Sequence, residues 1–194
     1  MGPLFYTTIP FPRIEDKASV PDLPLINLLF TRIHRAAHGR AFAVALPSMQ
    51  PGERPDIGQT MQVFSPEREV LEYLLTNPGV QQLLRDQFLG TPAILPVPEK
   101  RIIGWARYVR DRRMDKASPA RLRRQAARAA KGIRTQPIGA PSVRLELPYF
   151  HHVSATTGES PRIFVRREDA EGPGAFLFDS FGLSKGGAVP VLRG

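Results

Sequence analysis

The order of the hydrophobic patterns in the first 98 residues constrains the fold more than any other feature of the sequence. Alternating, β-branched and aromatic patterns predict strands at residues 4–11, 40–47, 60–65 and 92–98. Apolar residues at helical spacing predict helices at residues 23–39 and 66–88. The resulting order (strand, helix, strand, strand, helix, strand) is that of a ferredoxin-like, RRM-like unit.

Capping and turn residues predict where these helices begin and end. The first helix is expected to end at Gly39, since glycine suits the C′ position. The second is expected to begin with Ser65 as its cap and Pro66 in its first turn. Asn77-Pro78 interrupts the helical pattern, which resumes directly afterwards.

The sequence changes character after Pro98, where we place a domain boundary. Strand patterns return at residues 142–155 and 161–168, and a third begins at Gly174 and runs into a glycine-rich loop. The predicted fold class is therefore α+β. A ferredoxin-like domain occupies residues 1–98, and residues 99–194 form a C-terminal α+β region with an arginine-rich helix.

Positive charge is concentrated in one segment of the chain. The net charge is +9, but residues 101–134 alone hold twelve Lys or Arg and two acidic residues. That segment therefore carries +10, and the remaining 160 residues sum to −1. A localised basic segment is typical of a protein that binds a polyanion. The alternative is a solvated, solubilising face.

A basic helix is predicted within this segment, at residues 119–131, with Ser118 as N-cap and Gly132 at C′. Its apolar side carries Leu122, Ala126, Ala129 and Ile133, and the opposite side carries Arg121, Arg124, Arg128 and Lys131. A merely solvated face would mix charges of both signs, because like charges four residues apart repel. The one-sided charge favours a phosphate-rich partner.

Composition excludes several classes of protein. The absence of cysteine excludes disulfides, thiolate metal sites and a cysteine nucleophile. The four histidines (His34, His38, His151 and His152) form no HExxH-like motif, which disfavours a zinc enzyme. No apolar run reaches the roughly 18–20 residues of a membrane span, and the first residues do not resemble a signal peptide. We therefore expect a cytoplasmic protein without a membrane segment, metal or cofactor.

A glycine-rich loop, GLSKGG, occupies residues 182–187. It is not a Walker A motif, because Lys185 follows Ser184 and no helix pattern comes after it. Backbone N–H groups of such a loop can hold a phosphate, with Lys185 as a point charge. The alternative is that the glycines only allow the chain to turn.

Four motifs carry a resemblance to a known family. They are LINLLFTRIHRA (25–36), SPARLRR (118–124), LELPYFHHVSATTGES with RIFVR (145–166) and GLSKGGAVP (182–190). In order and spacing, the sequence resembles the CRISPR repeat-processing endoribonucleases of type I-F systems over nearly its whole length. Residues 47–59 and 101–116 align poorly with that pattern.

The resemblance implies an enzyme whose arginine-rich helix holds the hairpin of a CRISPR repeat. Such enzymes cut pre-crRNA at the 3′ base of the hairpin without a metal, by attack of a 2′-hydroxyl that leaves a cyclic phosphate. The protein then stays bound to the crRNA as one subunit of an RNA-guided surveillance complex, and meets target DNA only through that complex. A non-catalytic hairpin-binding subunit is the alternative. A DNA-binding or ribosomal-type basic protein is a third possibility.

The resemblance assigns catalytic roles to His34 and Ser154, the latter as the group that orients the ribose. The predicted RNA contacts are Arg107, Arg121, Arg123, Arg124, Gln125, Arg128, Lys131, Thr156, Thr157, Phe181, Ser184 and Lys185. On a helical wheel, His34 projects roughly 130° from the centre of the apolar stripe, so we expect it to face water or a ligand. With an ordinary pKa of about 6.5, a histidine there can exchange a proton at neutral pH.

His151 and His152 leave a further alternative open. Adjacent strand residues point to opposite faces, so one of the two can share the site with Ser154 as an extra proton carrier.

Several positions depart from the family pattern. Phe181 stands where members often have tyrosine, so the hydrogen bond of that hydroxyl is lost. Pro161 or a neighbour replaces an aromatic that stacks on a base. Gln125 and Ala129 replace arginines, and glutamine favours adenine where arginine favours guanine. We therefore expect a different hairpin sequence.

Overall fold

The structure, a computed structural model, describes residues 2–10, 25–37, 39–85, 92–112, 119–133, 147–152 and 161–193. Its elements in chain order are β1 (Phe5–Pro10), α1 (Leu25–Ala36), β2 (Ala43–Ala45), β3 (Thr60–Ser65), α2 (Arg68–Thr76), α3 (Pro78–Arg85), β4 (Ile94–Pro96), β5 (Ile102–Asp111), α4 (Pro119–Ala130), β6 (Tyr149–His151), β7 (Arg162–Ala170) and β8 (Val189–Leu192).

The first sheet has the predicted ferredoxin-like arrangement. Its strand order is β2-β3-β1-β4, and every neighbouring pair is antiparallel. Apolar residues of the helices and strands meet in one buried cluster, which includes Leu29 of α1, Leu71 of α2 and Phe64 of β3. Burial of each such side chain contributes about 1.5–3 kcal/mol, which is what holds helices on a sheet. The α+β fold class is confirmed.

The ends of the second predicted helix need correction. The helix begins at Arg68, two residues after Pro66, and its N-cap residue Glu67 makes no side-chain capping bond. Ser65 is instead the last residue of β3, where its Oγ donates to the carbonyl of Ala41 and accepts the N–H of Glu67. The predicted interruption at Asn77 is confirmed, because α2 ends at Thr76 and α3 begins at Pro78.

A second four-stranded antiparallel sheet has the order β6-β7-β5-β8. In chain order this is the same arrangement as in the first sheet. α4 follows its first strand, and residues 171–188 stand where a second helix would connect the third and fourth strands. The change of sheet falls between β4 and β5, and the domain boundary at Pro98 stays a prediction.

Two strands of this sheet, β5 and β8, were not predicted from the sequence. Along β5, Ala106 and Tyr108 are buried on one face while Arg107 and Val109 on the other are only partly buried. Arg107 and Arg110 interrupt the apolar residues of β5, so its alternating burial is not visible in the sequence. The strand predicted from Gly174 is wrong: that stretch makes only an isolated bridge from Phe178 to Ser184.

The basic helix α4 has the predicted C-terminal end. Gly132 has a φ of +71°, and its N–H donates to the carbonyl of Ala129 while that of Ile133 donates to Arg128. These two bonds form a Schellman motif. Arg123 and Arg128 are exposed, but so are Ala126 and Ala129 of the apolar side. Among the described side chains of α4, only Gln125 is partly buried. Ser118 lies outside the described residues.

Among the described residues, every helix falls short of the length and apolar character that a membrane span needs.

Candidate active site

His34 lies in the last turn of α1, between the two sheets. The stripe of Leu29 and Ile33 is buried in the first half of the molecule, as predicted. The opposite side of α1 is covered too: Asn27 is buried and Phe30 stacks on Phe150 of β6, with ring centroids 3.7 Å apart. The expectation that this side lies away from the core is therefore wrong. His34 itself is only partly buried, where this side of the helix meets the C-terminal loop.

The Nδ1 atom of His34 lies 2.7 Å from the carbonyl oxygen of Ser180. Because a carbonyl oxygen only accepts, this bond requires the proton on Nδ1. The other ring nitrogen, Nε2, then keeps its lone pair in the neutral ring. In the neutral ring, Nε2 is therefore a hydrogen-bond acceptor.

Phe181 lies flat against the His34 ring. The centroids are 4.2 Å apart and the planes differ by 14°. Phe181 is itself buried, and its backbone N–H donates to Oδ1 of Asp179. It thus orients the histidine; its predicted contact with RNA stays a prediction.

His152 is the second histidine of the site. Its ring stands edge-on to His34, at 4.7 Å and 82°, and edge-on to Phe181, at 4.9 Å and 80°. Burial lowers its pKa below the ordinary value, and His34 when protonated, together with the positive charges of Arg35 and Arg110, lowers it further. At neutral pH His152 is therefore uncharged.

His151 points elsewhere. Its ring contacts Tyr149, at 5.4 Å, and its backbone N–H donates to Oδ1 of Asn27, at 2.8 Å. Of the two adjacent histidines it is thus His152 that joins His34, while the backbone of His151 ties β6 to α1.

The backbone N–H groups of the GLSKGG loop are engaged in hydrogen bonds within the protein. The groups from Phe181 to Ala188 all donate within the protein, to acceptors on Pro173, Leu177, Asp179, Ser184 and Tyr108. They are therefore not directed at a ligand, and the glycines have a conformational and packing role. A phosphate at this loop would contact the exposed side chain of Lys185. The Ser184 hydroxyl is buried and donates to the carbonyl of Gly187, at 2.6 Å.

Gly182 allows the loop to approach the first sheet. Its φ is +73°, and a Cβ there would lie 2.7 Å from the ring of Phe42 and 2.8 Å from Val44. Its carbonyl accepts the N–H of Val44, at 2.8 Å. This contact sets Ser180 and Phe181 beside His34.

The other predicted residues are only partly described. Arg107 lies on β5 opposite Glu168, partly buried, with its Nε atom buried and without a hydrogen-bond partner. Arg121 and Arg124 lie in α4, but their side chains are outside the described part of the structure. Three predicted residues lie outside the described residues altogether: Ser154, Thr156 and Thr157.

The described part of the chain contains no group of three or more His, Asp or Glu side chains that could hold a metal ion.

Comparison with known proteins decides the family. The model of a CRISPR-associated protein family, Cas_Csy4, matches residues 13–192 of the 194 in the chain. The chain belongs to the Cas_Csy4 family. The sequence resemblance to the type I-F endoribonucleases is thereby confirmed, and with it the family's role in processing CRISPR repeats.

Two other comparisons do not bear on membership of the Cas_Csy4 family. A solved structure named "CRISPR associated protein Cas6" is 13% identical and covers 97% of this chain and 99% of its own, with a TM-score of 0.32. No curated protein matches the chain.

Sequence reasoning missed the residues that orient the histidines. Asn27 follows the spacing of Phe30 and His34 on α1, and this shared side of the helix was the available signal. The Ser180 carbonyl carried no signal, because any residue supplies a carbonyl.

Proposed function

We propose that this protein is a metal-independent endoribonuclease that cleaves pre-crRNA at the 3′ base of the repeat hairpin. The observation that supports this most directly is the His34–Ser180 bond, which leaves Nε2 of a partly exposed histidine as a base. An imidazole nitrogen with a free lone pair suits removal of a proton from a 2′-hydroxyl.

In the proposed step, O2′ attacks the adjacent phosphorus and the P–O5′ bond breaks. The 2′-hydroxyl proton passes to Nε2 of His34, and the leaving O5′ takes up a proton from solvent, to which His34 later returns its own. The products are a 2′,3′-cyclic phosphate and a 5′-hydroxyl, without consumption of water. Ser154 orients the ribose by a hydrogen bond, a role that requires no activation of its hydroxyl.

Exposed cations of α4, such as Arg123 and Arg128, hold the hairpin. Side chains reach the deep major groove of A-form RNA poorly, so this helix works near the end of the stem or mainly on phosphates. Lys131 and Lys185, both exposed, add further cations for phosphates, and Thr156 and Thr157 complete the proposed RNA contacts. The processed crRNA stays bound, and the protein remains a subunit of a CRISPR effector complex.

The test is cleavage of the repeat RNA in EDTA by the wild-type protein and by His34→Ala. We expect one cut at the 3′ base of the hairpin by the wild type. We expect no cut by the variant, with hairpin affinity unchanged. Dependence of cleavage on a divalent metal, or loss of binding together with cleavage, would contradict the proposal.

A non-catalytic hairpin-binding subunit is the second candidate. Phe181 favours it, because this residue supplies no hydroxyl beside His34. Tight hairpin binding by the wild-type protein without any cut would establish it.

A further inference from the structure

His152 is held in the site by its backbone and by two ring contacts. Its backbone N–H donates to the carbonyl of Pro161, at 3.2 Å. Its side chain touches His34 and Phe181 edge-on, and its Nδ1 atom is buried without a hydrogen-bond partner. Of its two ring nitrogens, Nε2 is therefore the one available to a ligand.

The surroundings of Nδ1 determine where the His152 proton lies. Protonation of the ring would place an N–H on both nitrogens and leave a buried donor at Nδ1 without an acceptor, which is costly. The cationic or titratable groups around it, His34 and Arg35 from α1 and Arg110 from β5, also oppose a positive charge. The neutral ring with its proton on Nε2 fits this environment best.

The two histidines thus present opposite hydrogen-bonding groups. The bond to Ser180 makes Nε2 of His34 an acceptor, whereas the buried, unpartnered Nδ1 of His152 makes its Nε2 a donor. In-line displacement places the attacking and leaving oxygens on opposite sides of phosphorus. The two rings touch edge-to-face with centroids 4.7 Å apart, which leaves no room for a phosphate between them. This arrangement of the rings does not fit a base-and-acid pair across the phosphate.

We infer that His152 is a second catalytic residue, whose Nε2–H donates a hydrogen bond to a non-bridging oxygen of the scissile phosphate. The inference rests on the proposed function and assigns the group that meets the developing negative charge. A donor already fixed by contacts to His34 and Phe181 needs no reorganisation when that charge develops. Loss of one such donor slows a reaction by about 10²–10³-fold.

The experiment compares His152→Leu, which removes the donor, with His152→Gln, whose amide nitrogen stands close to the position of Nε2. Single-turnover cleavage of the repeat RNA is measured with both variants, together with hairpin affinity and the thermal unfolding midpoint. We expect His152→Leu to cut about 10²-fold more slowly with unchanged affinity, and His152→Gln to recover most of that loss.

A second arm uses repeat RNA with a phosphorothioate at the scissile linkage. Sulfur accepts hydrogen bonds poorly, so one diastereomer should slow the wild type more than it slows His152→Leu. This readout compares two substrates on the same folded protein. It therefore remains informative if His152→Leu is less stable.

The outcomes separate the inference from the proposed function. If the wild type does not cut, the proposed function fails. If the wild type cuts and His152→Leu cuts equally well, only the role of His152 is overturned. A His152→Gln variant as slow as His152→Leu, together with loss of one limb of the pH–rate profile, would show proton transfer by His152 and would also overturn it.

Discussion

The Nδ1 atom of His34 lies 2.7 Å from the carbonyl oxygen of Ser180, which is 146 residues later in the chain. The adjacent residue, Phe181, stacks on the same imidazole. One turn of the C-terminal loop therefore determines both the tautomer of His34 and the plane of its ring.

Replacement of His34 by asparagine tests this relationship. Asparagine places its amide nitrogen near the position of Nδ1, so it can still donate to Ser180, but it has nothing at Nε2. We expect cleavage to fall by about 10²–10⁴-fold, the usual contribution of a general base, with unchanged hairpin affinity. Single-turnover cleavage and a binding titration measure the two effects.

His34→Leu is the matched control, since it loses both nitrogens. It leaves the Ser180 carbonyl without its partner, so its thermal unfolding midpoint should lie below that of His34→Asn. Equal midpoints for the two variants would mean that the bond to Ser180 contributes nothing.

Gly182→Ala should destabilise the protein strongly. The change forces an L-residue to a φ of +73° and places a Cβ 2.7 Å from the ring of Phe42. Left-handed backbone and overpacking together predict a loss of about 2–5 kcal/mol in the free energy of unfolding, measured by urea denaturation.

Gly132→Ala is the control at a matched backbone conformation. Gly132 has a φ of +71°, but a Cβ there meets no atom within 4 Å. It should therefore lose less stability than Gly182→Ala. The packing argument fails if the two losses are equal.

The lowered pKa of His152 makes stability depend on pH. Above the unfolded pKa of about 6.5 the histidine is neutral in both states and contributes nothing. As the pH falls below this value, the unfolded chain binds a proton that the folded state resists, so the folded state loses stability until its own lower pKa is passed.

His152→Gln removes this titration. The decrease in the unfolding midpoint between about pH 8 and about pH 5 should therefore be smaller in the variant than in the wild type. An equal or larger decrease in the variant would show that the pKa of His152 is not lowered in the folded protein.

Binding of the hairpin should depend steeply on salt through the cations of α4. Arg128 is exposed, so Arg128→Ala should remove one phosphate contact and reduce the slope of log affinity against log salt by about 1. Arg54→Ala, at an exposed position in the loop before β3, should leave the slope unchanged. Equal slopes for both variants and the wild type would place the hairpin elsewhere.

The local sequence pattern predicted those elements in which the spacing of apolar residues matches the spacing of buried residues. β3 was predicted with its observed bounds, because its apolar residues Met61, Val63 and Phe64 are also its buried ones. The end of α4 followed from Gly132, since a positive φ is a property of one residue and its neighbours. β5 could not be found in this way, because Arg107 and Arg110 interrupt its apolar residues and give it the composition of the basic segment around it.

By itself the sequence determined the ferredoxin-like order of the first half, the family, and His34 as the candidate base. Only the tertiary structure decided that His152 rather than His151 stands beside it, because the choice depends on which face of β6 packs on α1. It also decided that Gly182 of the GLSKGG loop serves close packing on Phe42 and Val44, and that the backbone N–H groups of the loop donate within the protein rather than to a phosphate. Hydrogen bonds and steric contacts between residues more than a hundred positions apart leave no periodic trace in a sequence, and these contacts complete the site.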